Sequence, residues 1–267
     1  MRTLSIILIL LLIMTSIFIG GRKSLINWAT FFPQSGSVVD ITQLPHPIEH
    51  HFLQTSDGVK ISTFFLPREG ADKTFLYFHG NAGNASHRLP VALELWGLNA
   101  NVLLVDYRGY GLSQGSPSEK GIYVDAETAL QFLVNNIGVA VEEIFLFGRS
   151  IGSAVAVELA QHDTFAGVIL ISPLSSGKDV SANTGLGLAS LLIGNPFNSK
   201  AKLHNLTSPL LILHGENDEI LPIEMGLELR DISPVPTKFI RIPNAGHNDI
   251  IQINPESFYS YIRAFCE

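Results

Sequence analysis

An α/β domain with a mostly parallel central sheet and helices on both faces is predicted from the order of strand-like and helix-like segments along 267 residues. Near-continuous apolar runs such as residues 168–171 suit strands buried on both faces, and helix-length segments separate them. With 46% hydrophobic and 15% charged residues, the chain can build one large core.

The elements follow in order. Residues 48–52 and 60–66 read as a hairpin around Ser56-Asp57-Gly58, which supplies an antiparallel edge. Strands are predicted at 74–78, 102–106, 144–147, 168–172, 210–213 and 238–242. Helices are predicted at about 88–97, 121–136, 151–162, 222–230 and 255–265. Residues 174–208 form an insertion longer than an ordinary crossover, rich in Gly, Ser and Asn around Leu186, Leu188, Leu191, Leu192 and Ile193. The insertion follows a strand end, on the side where open α/β sheets bind ligands. It reads as a small cap with an apolar inner face, hence an apolar substrate group, with plain surface packing as the alternative.

Residues 4–21 are almost wholly apolar, and as a helix would span about 27 Å against a hydrocarbon core of about 30 Å. They read as a membrane anchor. A cleaved signal peptide, leaving a secreted or periplasmic protein, is the alternative, although the run is long for one and Phe18-Ile19-Gly20-Gly21 is a poor cleavage site. Arg2 on one flank balances Arg22 and Lys23 on the other, so topology stays open. The expected organisation is an anchor or signal segment at 1–23, a Pro- and Gly-spotted connector at 24–47, and a domain at 48–267 with its cap at about 174–208.

A net charge of −7 without a Lys/Arg cluster argues against a nucleic-acid partner. The single cysteine, Cys266, excludes an internal disulfide framework and reads as a free apolar thiol. His46, His50 and His51 are not read as a metal site, because adjacent strand residues point to opposite faces and no partner ligand is marked. There is no phosphate-binding or dinucleotide fingerprint, and no cofactor is expected.

Chemistry is concentrated at Gly148-Arg149-Ser150-Ile151-Gly152, which follows a buried strand and opens a small apolar helix. A serine hydroxyl is a poor nucleophile, so it must be held on a sharp strand-to-helix turn beside a base and facing backbone N–H donors. Gly148 leaves room where the turn is tightest, and Gly152 lets the helix approach the strand. Gly111-Leu112-Ser113-Gln114-Gly115 matches the same pattern but runs into Ser116-Pro117, and Ser113 reads as loop. His247, in Asn244-Ala245-Gly246-His247-Asn248 directly after the last strand, is the expected general base and acid. Asp218, in His214-Gly215-Glu216-Asn217-Asp218, fits as the acid that orients it. Glu216, Glu219 and Asp249 lie close by, and position separates the four only weakly. The oxyanion donors are expected at the N–H of Ile151 and in the loop Phe78-His79-Gly80-Asn81-Ala82-Gly83-Asn84, where Asn81 is our choice and a mere turn the alternative.

Over about residues 49–265 these motifs resemble the α/β-hydrolase superfamily. The stretches Leu76-Tyr77-Phe78-His79-Gly80-Asn81-Ala82-Gly83-Asn84, Asp106-Tyr107-Arg108-Gly109-Tyr110-Gly111 and Gly148-Arg149-Ser150-Ile151-Gly152 are similar to a subgroup often anchored near the amino terminus. The resemblance implies an α/β-hydrolase fold and a triad of Ser150, Asp218 and His247 with oxyanion donors near Asn81 and Ile151. Asp106 and Arg108 are expected to form structural pairings near the sheet edge. The implied activity is hydrolysis of a carboxylic ester or thioester of a small or lipid-like acyl substrate. An acyltransferase with the same triad, or a non-catalytic membrane-tethered binding module, are the alternatives.

Overall fold

A computed structural model describes residues 27, 30–37, 39–41, 44, 46–183 and 194–267. The expected anchor or signal segment, and the cap residues Leu186, Leu188, Leu191, Leu192 and Ile193, lie outside the described residues. Among the described residues no helix is long and apolar enough to cross a membrane.

In chain order the strands are β1 (Phe32–Pro33), β2 (Glu49–Gln54), β3 (Lys60–Leu66), β4 (Lys73–Phe78), β5 (Ala82–Gly83), β6 (Ala100–Val105), β7 (Ile144–Arg149), β8 (Gly167–Ile171), β9 (Leu210–Gly215) and β10 (Thr237–Ile242). The helices are α1 (Leu89–Trp96), α2 (Glu119–Phe132), α3 (Ile151–Leu159), α4 (Gly177–Asn183), α5 (Ser199–Lys202), α6 (Ile223–Ile232) and α7 (Pro255–Cys266). Eight strands make one sheet in the order β10-β9-β8-β7-β4-β6-β3-β2. From β10 to β6 every pairing is parallel, while β3 runs antiparallel to both β6 and β2. This is the α/β-hydrolase fold expected from the sequence.

The period-2 geometry of the strands divides the core in two. Leu76, Phe78, Leu103 and Val105 face Ile122, Ala126 and Ala129 of α2, Val155 of α3 and Leu229 of α6. Phe75, Tyr77, Val102 and Leu104 face the other way, against Leu89, Ala92 and Leu95 of α1 and Phe258 and Ile262 of α7. These side chains are almost fully buried, the larger aliphatic and aromatic ones each worth about 2 kcal/mol in apolar transfer. Such strands read as continuous apolar runs because both faces of the sheet are covered.

Local signals set the helix boundaries. Ser118 caps α2 by accepting from the Gly121 N–H, and Asn254 caps α7 by accepting from Ser257 ahead of Pro255 in the first turn. The predicted 121–136 helix starts earlier, at that cap. Its end widens into a π turn over Leu133–Ile137, where Val134, Asn135 and Asn136 are weak helix formers. At the root of the insertion, the Gly177 N–H donates to Pro196 O (2.7 Å), and Lys200 bridges Asp179 (2.8 Å) and Glu228 (2.9 Å). The Pro- and Gly-spotted connector, where no strand is predicted, contains β1, which pairs in parallel with β5.

Candidate active site

Ser150 lies between β7 and α3 at φ 54°, ψ −122°. An L-residue is strained there, and its neighbours must leave space for the turn. A Cβ at Gly148 would collide with the carbonyl oxygen of Gly152, and one at Gly152 with that of Phe78. The strand and helix can meet at this angle only with glycine at both positions. The Ser150 N–H donates to Ile171 O of β8 (2.9 Å), and the Ser153 hydroxyl donates to Ser150 O (2.6 Å), which ties the elbow into the sheet and the helix.

His247 comes from the loop after β10. Its Nε2 is 3.1 Å from Ser150 Oγ, and its Nδ1 is 2.8 Å from Asp218 Oδ2. The carboxylate can only accept, so Nδ1 carries the proton and Nε2 is left to receive the serine proton. Asp218 follows β9, and its Oδ1 accepts from the N–H groups of Leu221 (2.7 Å) and Ile220 (3.0 Å). Burial pushes the Asp218 pKa up. The bonds from His214 and His247 outweigh burial and hold the carboxyl well below the usual carboxylate range. Asp218 is therefore a firm carboxylate at neutral pH.

The neighbouring acids have other partners. Asp249 Oδ1 accepts from the Gly246 N–H (2.7 Å), Glu219 Oε2 lies 3.5 Å from the His247 N–H, and Glu216 is exposed. Asp249 and Glu219 flank the histidine loop, and none of the three reaches the imidazole Nδ1.

Ile151 opens α3, so its N–H has no acceptor within the helix and points out of a positive helix end. The loop 79–84 comes within van der Waals reach of the nucleophile, since a Cβ at Gly80 would lie 3.5 Å from Ser150 Cβ. Among the described residues the Asn81 backbone N–H has no acceptor, whereas its side chain makes three hydrogen bonds. The geometry thus brings Ser150, Asp218 and His247 into one hydrogen-bonded chain, with Ile151 and the Asn81 loop alongside.

Two residues that sequence reasoning passed over also belong to this neighbourhood. Arg149, the variable position before Ser150, donates from Nη2 to the His247 carbonyl (2.9 Å). His214, four residues before Asp218, is buried with Nε2 2.8 Å from Leu221 O and 3.5 Å from Asp218 Oδ2. Arg149 was visible as a charge inside the motif. His214 had no signal beyond its place at a strand end.

Asp106 and Arg108 do not pair with each other. Arg108 binds buried Asp125 (2.9 Å) and Asp57 (2.7 Å), while Asp106 Oδ1 accepts from the Ala85 N–H (2.7 Å). His50 lies against Ser62 and Phe64 on one face of β2, and His51 against Phe132 on the other. Among the described residues no cluster of three or more His, Cys, Asp or Glu is arranged to hold a metal ion.

Comparison with known proteins adds an independent line. A family profile described as serine aminopeptidase, S33, matches residues 69–200, a stretch that includes Ser150 and stops short of Asp218 and His247. An uncharacterized protein of Mycobacterium tuberculosis is 33% identical over 239 residues, covering 88% of this chain and 85% of that protein. Protein bem46 of Schizosaccharomyces pombe is 34% identical over 245 residues, covering 85% and 80%. The human alpha/beta hydrolase domain-containing protein 17C is 35% identical over 205 residues, which are 76% of this chain and 61% of that protein. Among solved structures, an esterase of Pyrococcus furiosus superposes with a TM-score of 0.74 at 23% identity, covering 88% of this chain and 96% of that one.

Proposed function

The chain belongs to the α/β-hydrolase superfamily and is a hydrolase, and we propose that it cleaves carboxylic esters or thioesters through an acyl-enzyme on Ser150. The observation that carries this reading is the unbroken chain from Ser150 Oγ to His247 Nε2 (3.1 Å) and from His247 Nδ1 to Asp218 Oδ2 (2.8 Å).

Ser150 Oγ attacks the acyl carbonyl as its proton passes to His247 Nε2. The resulting imidazolium is stabilised by Asp218, whose carboxylate also keeps the ring in the working tautomer. Charge on the carbonyl oxygen is met by the N–H groups of Ile151 and Asn81. The tetrahedral intermediate collapses when His247 returns the proton to the leaving alcohol or thiol. Water, deprotonated by the same imidazole, then releases the acid and restores Ser150.

An apolar acyl group suits the leucine-rich sequence of the insertion, and membrane anchoring through residues 4–21 suits a lipid-like substrate. The esterase named among the structural neighbours supports an ester-directed reading of this fold. The test is peptide mapping after treatment with a fluorophosphonate, which labels only an activated serine. A single adduct on Ser150, lost in Ser150→Ala and His247→Ala, is expected, followed by graded turnover across a series of acyl chain lengths. A folded protein that takes no label would overturn the serine-hydrolase reading.

A further inference from the structure

We infer, resting on the serine-hydrolase reading, that residues 30–36 are an active-site strap that positions the Asn81 N–H, so that the chain preceding the domain is a working part of the oxyanion hole.

Two of the three hydrogen bonds of the Asn81 carboxamide go to this strap. Its Nδ2 donates to Thr30 O, and its Oδ1 accepts from the Phe32 N–H (3.1 Å) and the Tyr110 hydroxyl (3.0 Å). The next residues continue the seam. Phe32 and Pro33 run parallel to Ala82 and Gly83, and the Gln34 N–H donates to Gly83 O (3.0 Å). Asn84, fully buried, sends its Nδ2 to the carbonyls of both Gln34 (3.0 Å) and Gly36 (2.7 Å). The strap is held on its other side by the loop after β6, where the Gly36 N–H donates to Gly111 O (2.7 Å) and the Gly111 N–H to Gln34 O (2.9 Å).

Side chains fix its depth. Phe31 is 5% exposed and packs edge-on against Phe197 at 6.0 Å, at the root of the cap, while the adjacent Phe32 is 61% exposed. Phe31 therefore anchors the strap in the core, and Phe32 contributes mainly through its backbone.

The need for such a device follows from the loop itself. Between β4 and the 3-10 turn at Ala85–Arg88 the chain carries Gly80 and Gly83, whose backbones are the least restricted of any residue. Yet this loop must hold an N–H in hydrogen-bond range of an oxygen that forms only in the transition state, and an error near 1 Å costs on the order of 100-fold in rate. Apart from the strap, the Asn81 to Gly83 stretch is held by the Tyr110 hydroxyl and by Arg88 Nη2 on Ala82 O (2.7 Å). A group that sets transition-state contacts without touching the bound ester should act on kcat more than on KM.

The experiment uses the full-length protein in detergent with p-nitrophenyl butyrate, and butylboronic acid as a tetrahedral adduct former. Phe32→Pro deletes the N–H that reaches Asn81 Oδ1 without touching Asn81, Phe32→Ala keeps that N–H, and Asn81→Ala keeps its own backbone N–H while losing all three side-chain bonds. Phe32→Pro and Asn81→Ala are each expected to lower kcat about 100-fold, with KM within about twofold and boronate affinity falling in step with kcat. Phe32→Ala, which keeps the N–H, is expected to lose far less kcat than Phe32→Pro, no more than about threefold. Parent-like kcat in Phe32→Pro and Asn81→Ala would overturn the strap, as would losses that track the unfolded fraction by circular dichroism or that Phe32→Ala shares. A parent protein that neither hydrolyses the ester nor takes a fluorophosphonate on Ser150 would instead defeat the underlying hydrolase reading, an outcome separable from the first.

Discussion

Ser113 and Ser150 occupy the centre of the same five-residue pattern, yet their hydroxyls have opposite fates. Ser113 Oγ donates to Asp106 O (2.8 Å) and accepts from the Ser62 N–H (2.8 Å), so it joins the loop after β6 to β3, and among the described residues its proton acceptor is a carbonyl. Ser150 Oγ faces an imidazole, on a backbone held at φ 54°. A hydroxyl satisfied by the main chain is part of the scaffold, whereas one held in strain beside a base is available for chemistry. What separates the two is the element that follows: α3 starts directly after Ser150, while Ser116-Pro117 prevents a helix from starting after Ser113.

The contrast can be broken most forcefully at Ser150. Ser150→Ala is expected to cut ester turnover about a millionfold while the thermal transition stays within a few degrees of the parent, measured by steady-state kinetics and circular dichroism. Turnover that survives would reassign the nucleophile, with Ser113 as the next serine to test.

Next in size is Asp218→Asn, expected to cost about 10,000-fold in kcat because the amide no longer imposes the working tautomer on His247. The same variant has a stability signature. The Asp218 carboxyl titrates below its unfolded value, so its contribution is complete above about pH 4 and is lost as pH falls through the lower folded pKa. Melting temperature should therefore drop less steeply on acidification in Asp218→Asn than in the parent, and equal slopes would show that the carboxylate is not held this way.

Smaller again is Gly152→Ala, which drives a methyl group into the Phe78 carbonyl. Urea denaturation should register a loss of about 3 kcal/mol, with a matching drop in activity as α3 and Ser150 shift. Smallest is Ser113→Ala, which strands the Ser62 N–H and should lower stability by about 1.5 kcal/mol with kcat unchanged. A loss of turnover there without unfolding would erase the distinction between the two serines.

Much of this was legible beforehand because it is written in local chemistry. Strands β4, β6, β7, β8 and β9 show as apolar runs, β10 as a shorter strand-like stretch, and the histidine loop as a glycine-bearing turn after the last of them, whereas the two-residue β5 was read as loop. The acid was less legible. Position separates Asp218 from Glu216, Glu219 and Asp249 only weakly and the choice of Asp218 leaned on the resemblance; in the folded loops Asp218 reaches Nδ1 while Asp249 turns back to Gly246. Arg149 and His214 were missed because their partners, a carbonyl 98 residues away and a turn closed by Leu221, carry no pattern of their own.

The connector is the sharpest case. Residues 30–36 show no periodicity because only two of them pair as strand, and four of their hydrogen bonds join backbone groups to the Asn81 and Asn84 side chains about fifty residues on. By itself the sequence determined the α/β class, the order of elements and the serine elbow, since apolar periodicity, caps and paired glycines act over a few residues and need no distant partner. Only the tertiary structure decided that residues 30–36 bond to the Asn81 and Asn84 side chains and that Arg149 and His214 flank the site. Those contacts exist only once strands far apart in the chain lie side by side, and hydrogen bonds to main-chain groups leave almost no mark on the residues that receive them.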